Sequence, residues 1–295
     1  MLVSVVIPAY NRESTIKDAV KSILEQTYKN LEVIVVDDGS KDGTADAVKS
    51  IDDERVRLIE CEKNGGACTA RNIGIENAKG EVIAFQDSDD IWHADKLEKS
   101  LKCMEEQNAD FVFSALKREE TIKGKKVQEV IPVFNLNTAE DKLSCILHQN
   151  YVSTQTIVAK TKIFDKVRFD REFPRFQDWD LAIQVIREGY KVYYIEESLV
   201  DSIVLGDSIS YDGKKAVRAI ELLEKKYDKE YKLRPDVYKR FCERAGFLIE
   251  MSGNNGSKYF LKAYRTKRQI SILIKYVLSK LRLYRPLNLL VSRFL

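Results

Sequence analysis

The sequence predicts an α/β fold, a mostly parallel sheet flanked by helices on both faces and followed by a helical extension. Three observations carry that expectation. Short apolar or β-branched runs of strand length recur up to residue 113, helical patterns lie between them, and two of the runs end in clustered carboxylates.

The elements follow in order. Val3-Ser-Val-Val-Ile7 reads as the first strand, and Ile16, Val20, Ile23 and Leu24 fall at helical spacing behind it. Val33-Ile-Val-Val36 is the second strand; it runs into Asp37-Asp38-Gly39-Ser40 and an Asp42-Gly-Thr44 turn that feeds a helix. Val56-Arg-Leu-Ile59 is the third strand. Ala70, Ile73, Gly74 and Asn77 mark a helix that Ala78-Lys79-Gly80 ends. Val82-Ile-Ala-Phe85 and Phe111-Val-Phe113 complete the regular part. Beyond Lys117 the rhythm breaks into a Lys123-Gly-Lys-Lys126 turn, a strand at Val130-Ile-Pro-Val-Phe134 and a helix from Ala139 to Leu147. Gln155 to Ala159 reads as a strand, Trp179 to Arg187 as a helix and Lys191 to Ile195 as a closing strand. Composition turns to Lys-rich helix around Tyr211 to Gly213, which predicts a catalytic domain over 1–212 and a basic helical extension over 213–295.

A chain of 295 residues with 44% hydrophobic content suffices for one large domain with an appendage and excludes general disorder. Five cysteines without C-x-x-C spacing suggest neither a disulfide framework nor a zinc site, which fits a reducing cytoplasm. Met1-Leu2-Val3-Ser4 lacks a basic, cleavable leader, and no run of about 18 apolar residues appears, so neither export nor a membrane span is expected. The net charge of +3 conceals a division: residues 251–295 hold ten Lys or Arg and no acid, leaving 39 basic against 46 acidic residues in the preceding 250, a net −7.

The most telling stretch is Glu81-Val-Ile-Ala-Phe-Gln-Asp-Ser-Asp-Asp90, because it delivers Asp87, Asp89 and Asp90 to one strand end, where open α/β sheets bind ligands. Carboxylates this close repel one another. A hard, oxygen-loving cation such as Mg²⁺ or Mn²⁺ relieves the repulsion and keeps positions open for a substrate phosphate, which makes a nucleotide the expected ligand. An acidic, solvated loop is the competing reading.

Taken together, Ile7-Pro-Ala-Tyr-Asn11, Val36-Asp-Asp-Gly-Ser40 with Asp42-Gly-Thr44, Asn64-Gly-Gly, Ala70-Arg-Asn-Ile-Gly74 and Asp87-Ser-Asp-Asp90 strongly resemble the family 2 glycosyltransferases of the GT-A (Rossmann-like) fold, of the bacterial surface-polysaccharide type. A weaker match continues at Phe176-Gln-Asp-Trp-Asp180. The resemblance implies that Pro8, Ala9, Tyr10 and Asn11 close the first strand where the uracil of a UDP-sugar would lie, with Tyr10 stacking on it. It implies that Asp38 accepts hydrogen bonds from uracil or ribose, with Asp37 supporting the same turn. Arg71 is placed to meet phosphate. Asp87, Ser88 and Asp89 correspond to the family's D-x-D element, in which the first acid meets the ribose and the second, Asp89, binds the divalent cation. Asp90 is expected to cap the following helix, and Trp92 and Trp179 to wall the sugar or acceptor site or, as the duller reading, to fill the core.

The resemblance assigns the catalytic base to Asp178, with Asp180 in reserve; the competing role for Asp178 is a helix cap. One displacement by the acceptor hydroxyl would invert the anomeric centre. Two departures stand out. Residue 177 is Gln where the family often has Glu, and Ile203-Val-Leu205 before Ser208-Ile-Ser210 lacks the family's metal-binding His, with Asp207 as the substitute oxygen ligand. The metal would then rest on Asp89, the diphosphate and water.

In the tail, Ile270, Leu273, Ile274, Val277, Leu278, Leu281 and Tyr284 share a helical face amid Lys275, Lys280, Arg282 and Arg285. That pattern suits peripheral contact with an anionic membrane through 251–295; packing on the catalytic domain or on a homodimer mate competes with it. Nothing resembles a nucleic-acid recognition motif. The reading is a cytoplasmic enzyme, peripheral at the inner face of the plasma membrane, that transfers sugar from a UDP donor to a glycan or lipid-linked acceptor. Its rivals are a sugar-phosphate nucleotidylyltransferase, which would need a Gly-rich loop where Pro8-Ala-Tyr-Asn-Arg12 stands, and a nucleotide-sugar-binding scaffold without turnover.

Overall fold

The computed structural model describes residues 1–122, 125–132, 136–203 and 212–291. The chain divides into two compact units: Met1–Glu140, Tyr151–Arg171 and Gln177–Leu205 form the first, and Asp141–Asn150, Glu172–Phe176 and Gly206–Leu295 the second. The expected division after residue 212 abuts the stretch 204–211, outside the described residues. The second unit also draws in two segments from the middle of the chain, which local sequence pattern does not reveal.

The first unit is built on a nine-stranded sheet. Its strands are β1 (Val3–Ala9), β2 (Leu31–Asp37), β3 (Val56–Glu60), β4 (Val82–Phe85), β5 (Asp90–Trp92), β6 (Phe111–Ile122), β7 (Lys125–Ile131), β8 (Ile157–Lys160) and β9 (Val192–Ile203). They run in the order β3-β2-β1-β4-β8-β6-β9-β5, with β7 paired to β6. β1, β2, β3 and β4 are mutually parallel, as the alternation predicts, whereas β8 is antiparallel to both β4 and β6. β1 pairs with β2 on one edge and β4 on the other, so the strand order reverses there. The carboxyl ends of β1 and β4 therefore flank the topological switch point, where open sheets hold ligands.

Burial on both faces explains the almost continuous apolar content of β1, β2 and β4. The helix α1 (Ile16–Leu24) buries Ile16, Val20 and Ile23 of the expected stripe together with Ala19, while Leu24 is half-buried. After α2 (Thr44–Lys49) comes α3 (Ala67–Asn77), which lies so close to β1 that a Cβ on Gly74 would stand 2.2 Å from Val6 Cγ1. α4 (Lys96–Glu106) and, much later, α6 (Gln177–Arg187) complete the cover.

Several strands depart from expectation: β7 begins at Lys125, inside the expected turn, and β9 runs on past Ile195 to Ile203. β6 runs on to Ile122 through charged residues because β7 pairs with it down to Lys125 opposite Ile122. Residues 123–124 of the expected turn, and 133–135 of the expected strand end, lie outside the described residues. β5 was not anticipated at all, being only three residues long.

The second unit is helical: α5 (Lys142–His148), α7 (Gly213–Lys226), α8 (Asp228–Leu233), α9 (Pro235–Met251), α10 (Ser257–Thr266), α11 (Ile270–Lys280) and α12 (Tyr284–Val291). The Asp212 carboxylate accepts from the Lys214 and Lys215 amides and starts α7, a cap on two orphan donors. Among the described residues, no helix is long and apolar enough to cross a membrane.

Candidate active site

The loops after β1 and β2 are laced together at the switch point. The Asn11 amide donates to Ser40 Oγ at 2.9 Å, Asn11 Oδ1 accepts from the Lys41 amide at 2.9 Å, and the Arg12 amide donates to Thr44 Oγ1 at 2.7 Å. Asn11 takes φ 51°, a left-handed conformation that its short polar side chain supports through these bonds. Pro8 and Ala9 lie inside β1, and Tyr10 follows with 42% of its surface exposed, a ring at the edge of the crevice rather than in the core.

Asp37 and Asp38 are both buried at the end of β2. Asp37 Oδ1 accepts from the Ser40 amide at 3.0 Å and from the Ser40 hydroxyl, which supports the turn as expected of it. Each oxygen of Asp38 takes one backbone amide, Gly65 at 2.8 Å and Gly66 at 2.7 Å. It therefore pins the glycine loop that opens α3. Gly66 is needed there for its φ of 85° and not for space, since a Cβ would meet nothing within 4 Å.

Past β4 the chain turns sharply: the Asp90 amide donates to the Asp87 carbonyl at 3.3 Å, and Gln86 Nε2 to the Asp90 carbonyl at 2.6 Å. The three acids meet different fates. Asp87 Oδ1 accepts from Arg71 at 2.7 Å. Asp89 stays a quarter exposed, with Oδ2 3.5 Å from Arg12 Nε, and Ser88 between them is buried. Asp90 is buried in β5 against β9, bonded to Ser202 and Gln155; burial, then the charges of Asp87 and Asp89, push its carboxyl well above the ordinary range. Asp90 is thus no helix cap; α4 starts six residues on, at Lys96, with Asp95 before it.

Arg71 is the hub of the site. One guanidinium nitrogen donates to Asp87 and the other to Gln177 Oε1 at 2.7 Å, while the plane lies 5.3 Å from the centre of the Phe169 ring. It is buried, and among the described residues its Nε has no hydrogen-bond partner. Gln177 opens α6, so this one side chain ties the acid turn to the first turn of that helix. Phe176 immediately before it stands at φ 60°, a strained value for a bulky residue and one found where local structure is over-determined.

Asp178 is partly exposed on that first turn, and its Oδ1 accepts from the Trp179 amide at 2.7 Å. Asp180, the reserve base, is fully buried and bonded to Gln184 at 2.7 Å, which removes it from reach of any acceptor. Trp179 and Trp92 are core residues too and wall nothing; Trp92 Nε1 donates to the Gln155 carbonyl at 3.2 Å. Sequence reasoning did not single out Arg12, Gln155 or Phe169. Arg12 follows the Tyr10-Asn11 pair directly, which was the one available signal.

Among the described residues, no three His, Cys, Asp or Glu side chains are grouped to hold a metal ion by themselves. His93 pairs with Asp201 at 3.2 Å, and burial lowers His148. Asp207 and Ser208 to Ser210 lie outside the described residues. The partly exposed carboxylate of Asp89 is nonetheless a hard oxygen donor of the type Mg²⁺ or Mn²⁺ accepts when phosphate and water fill the other positions.

A sheet that reverses at β1, with an acid turn after β4 at the switch point, defines the GT-A class of α/β fold. The chain belongs to glycosyl transferase family 2, whose model matches residues 4–164. It is 30% identical over 296 residues to the amylovoran biosynthesis glycosyltransferase AmsB of Erwinia amylovora, covering 95% of this chain and 96% of AmsB. It is 45% identical over 112 residues, 38% of this chain and 44% of the relative, to the Escherichia coli UDP-Glc:α-D-GlcNAc-diphosphoundecaprenol β-1,3-glucosyltransferase WfgD. The fold resembles that of Staphylococcus aureus TarS with UDP-GlcNAc (TM-score 0.60, 18% identity, 97% of this chain and 90% of that one). It also resembles the Pyrobaculum calidifontis mannosyltransferase PcManGT with GDP-Man and Mn²⁺ (TM-score 0.61, 19% identity, 98% and 83%).

Proposed function

We propose that this glycosyltransferase moves a sugar from a UDP-sugar to a hydroxyl of a growing, lipid-linked glycan in surface-polysaccharide assembly, with inversion. The carrying observation is Arg71, whose guanidinium bonds Asp87 and Gln177 and so couples the D-x-D turn to the residue beside Asp178. The names of AmsB and WfgD support polysaccharide synthesis and, for WfgD, a UDP donor and a lipid-linked acceptor.

In this reading Tyr10 and Asn11 receive the uracil ring, and Asp38 holds the glycine loop that borders it. Arg71 fixes Asp87 toward the ribose. A divalent cation, Mn²⁺ or Mg²⁺, held by Asp89 supplies charge to the leaving diphosphate when bound. Asp178 takes the proton from the acceptor hydroxyl; that oxygen bonds to the anomeric carbon as the bond to UDP breaks, and an α-linked donor yields a β-linked product without a covalent enzyme intermediate. A lipid carrier requires the enzyme to work peripherally at the inner face of the membrane.

Asp89→Ala tests the metal assignment. Calorimetry should show UDP binding that Mn²⁺ strengthens in the parent protein and leaves unchanged in the variant; equal strengthening in both removes Asp89 from the metal.

A further inference from the structure

α11 is amphipathic in the inverse sense of a helix that packs onto its own domain. Its inner face buries Ile272 and is otherwise fastened by polar contacts: Lys275 Nζ donates to Glu243 at 3.0 Å, the Ser279 hydroxyl bonds Glu250, and the Ser279 carbonyl accepts from Asn255 at 3.1 Å. Only Ile272 and Ser279 on this helix are buried. Its outer face carries Ile270, Leu273, Ile274, Val277 and then Leu281, an i, i+3, i+4, i+7, i+11 pattern, and these side chains are exposed, Ile270 by 78%, Ile274 by 52% and Leu281 by 62%. Such a contiguous strip on the surface marks an interaction site.

Charge selects the occupant. The segment 251–295 has no acidic residue. The acids of the preceding helices are spent on other lysines, Glu221 on Lys258, Glu224 on Lys262 and Asp236 on Lys267. Arg265 and Arg268 before the strip, and Lys280, Arg282 and Arg285 after it, are exposed, and among the described residues none has a carboxylate partner. An apolar strip bracketed at both ends by unneutralised cations is complementary to a surface that is apolar at depth and anionic at its face. A second copy would bring the same cations against these.

We infer that the outer face of α11, with the basic residues that bracket it, is the surface by which this protein lies on an anionic lipid bilayer, the strip entering the acyl boundary and the cations meeting lipid phosphates. The inference deepens the lipid-linked-acceptor reading and rests on it for its purpose, while the surface stands on its own geometry.

Flotation of the full chain with vesicles of phosphatidylcholine alone, and of phosphatidylcholine mixed with phosphatidylglycerol, tests it. Binding should require the anionic lipid. The double variant Ile274→Glu/Val277→Glu should abolish it, and Arg265→Gln, Arg268→Gln, Lys280→Gln and Arg282→Gln should weaken it by about fivefold each. All these positions are exposed, so unchanged thermal melting is expected, as is unchanged UDP release in detergent-free solution. Loss of UDP release bears on the transfer reading alone. Equal binding to neutral vesicles, no binding by the parent protein, or a dimer in sedimentation velocity that the Glu pair breaks would each overturn the membrane surface, the last in favour of a second copy.

Discussion

At the scale of single residues, the acid turn separates three carboxylates of one sequence cluster into three jobs. The turn after β4 holds Asp87, Asp89 and Asp90, and the gathering of all three at one strand end was legible in the sequence. The burial of Asp90 was not, because it depends on pairing with Ser202, more than a hundred residues on. Of the two readings open for Trp92 and Trp179 the core one holds, while the burial of Asp180 was hidden because composition does not say which face of a helix meets the core. Asp178→Asn keeps the shape and the hydrogen bond to the Trp179 amide while removing the base. Its kcat should fall by about 10²–10⁴-fold with UDP affinity unchanged, as steady-state kinetics and calorimetry would show; an unaffected kcat assigns the residue to capping α6. Lys96 offers a test of stability. It is fully buried with Nζ 3.9 Å from the centre of the Trp92 ring and, among the described residues, no hydrogen-bond partner, and burial pushes it down from 10.5 to about 7. Between those values the unfolded chain holds a proton that the folded chain has released, so stability climbs as pH rises through that window and is lost as pH falls toward 7. Lys96→Met should flatten this rise in Tm measured from pH 7 to 10; a slope equal to that of the parent assigns the rise to other groups.

At the scale of elements, the regular βα alternation was readable as far as β4 because β1, β2 and β4 are buried apolar runs, β3 is a half-buried one, and apolar residues fall at helical spacing between them. The strand at β8 was read close to its place, over Gln155 to Ala159, but its antiparallel pairing, the start of β7 and the short β5 depend on neighbours in the sheet, of which local pattern carries little. The contact of α3 with β1 sets the position of Arg71 and hence the geometry of the acid turn. Gly74→Ala tests it with two opposed effects. Alanine favours a helix by up to about 1 kcal/mol, yet its methyl would meet the fully buried Val6, and overpacking of that kind costs about 1–3 kcal/mol. A lowered Tm accompanied by a raised KM for the donor is expected; a stabilised protein would show that α3 can retreat from β1 without cost.

At the scale of the whole molecule, the charge division found in the sequence has a structural counterpart in the second unit, where cations outnumber the acids that answer them. The family and the fold were legible from five motifs in the first 90 residues. The recruitment of 141–150 and 172–176 into the helical unit was not, since only the folded chain brings them to α9 and its neighbours. The central claim is metal-assisted transfer from a UDP-sugar at the β1/β4 switch point. Its most direct measurement is UDP release by the purified protein across a panel of UDP-sugars, with Mn²⁺, with Mg²⁺ and with EDTA. Slow release from one donor, present with either metal and lost with EDTA, is the predicted result; no release and no UDP binding in the same samples would contradict it.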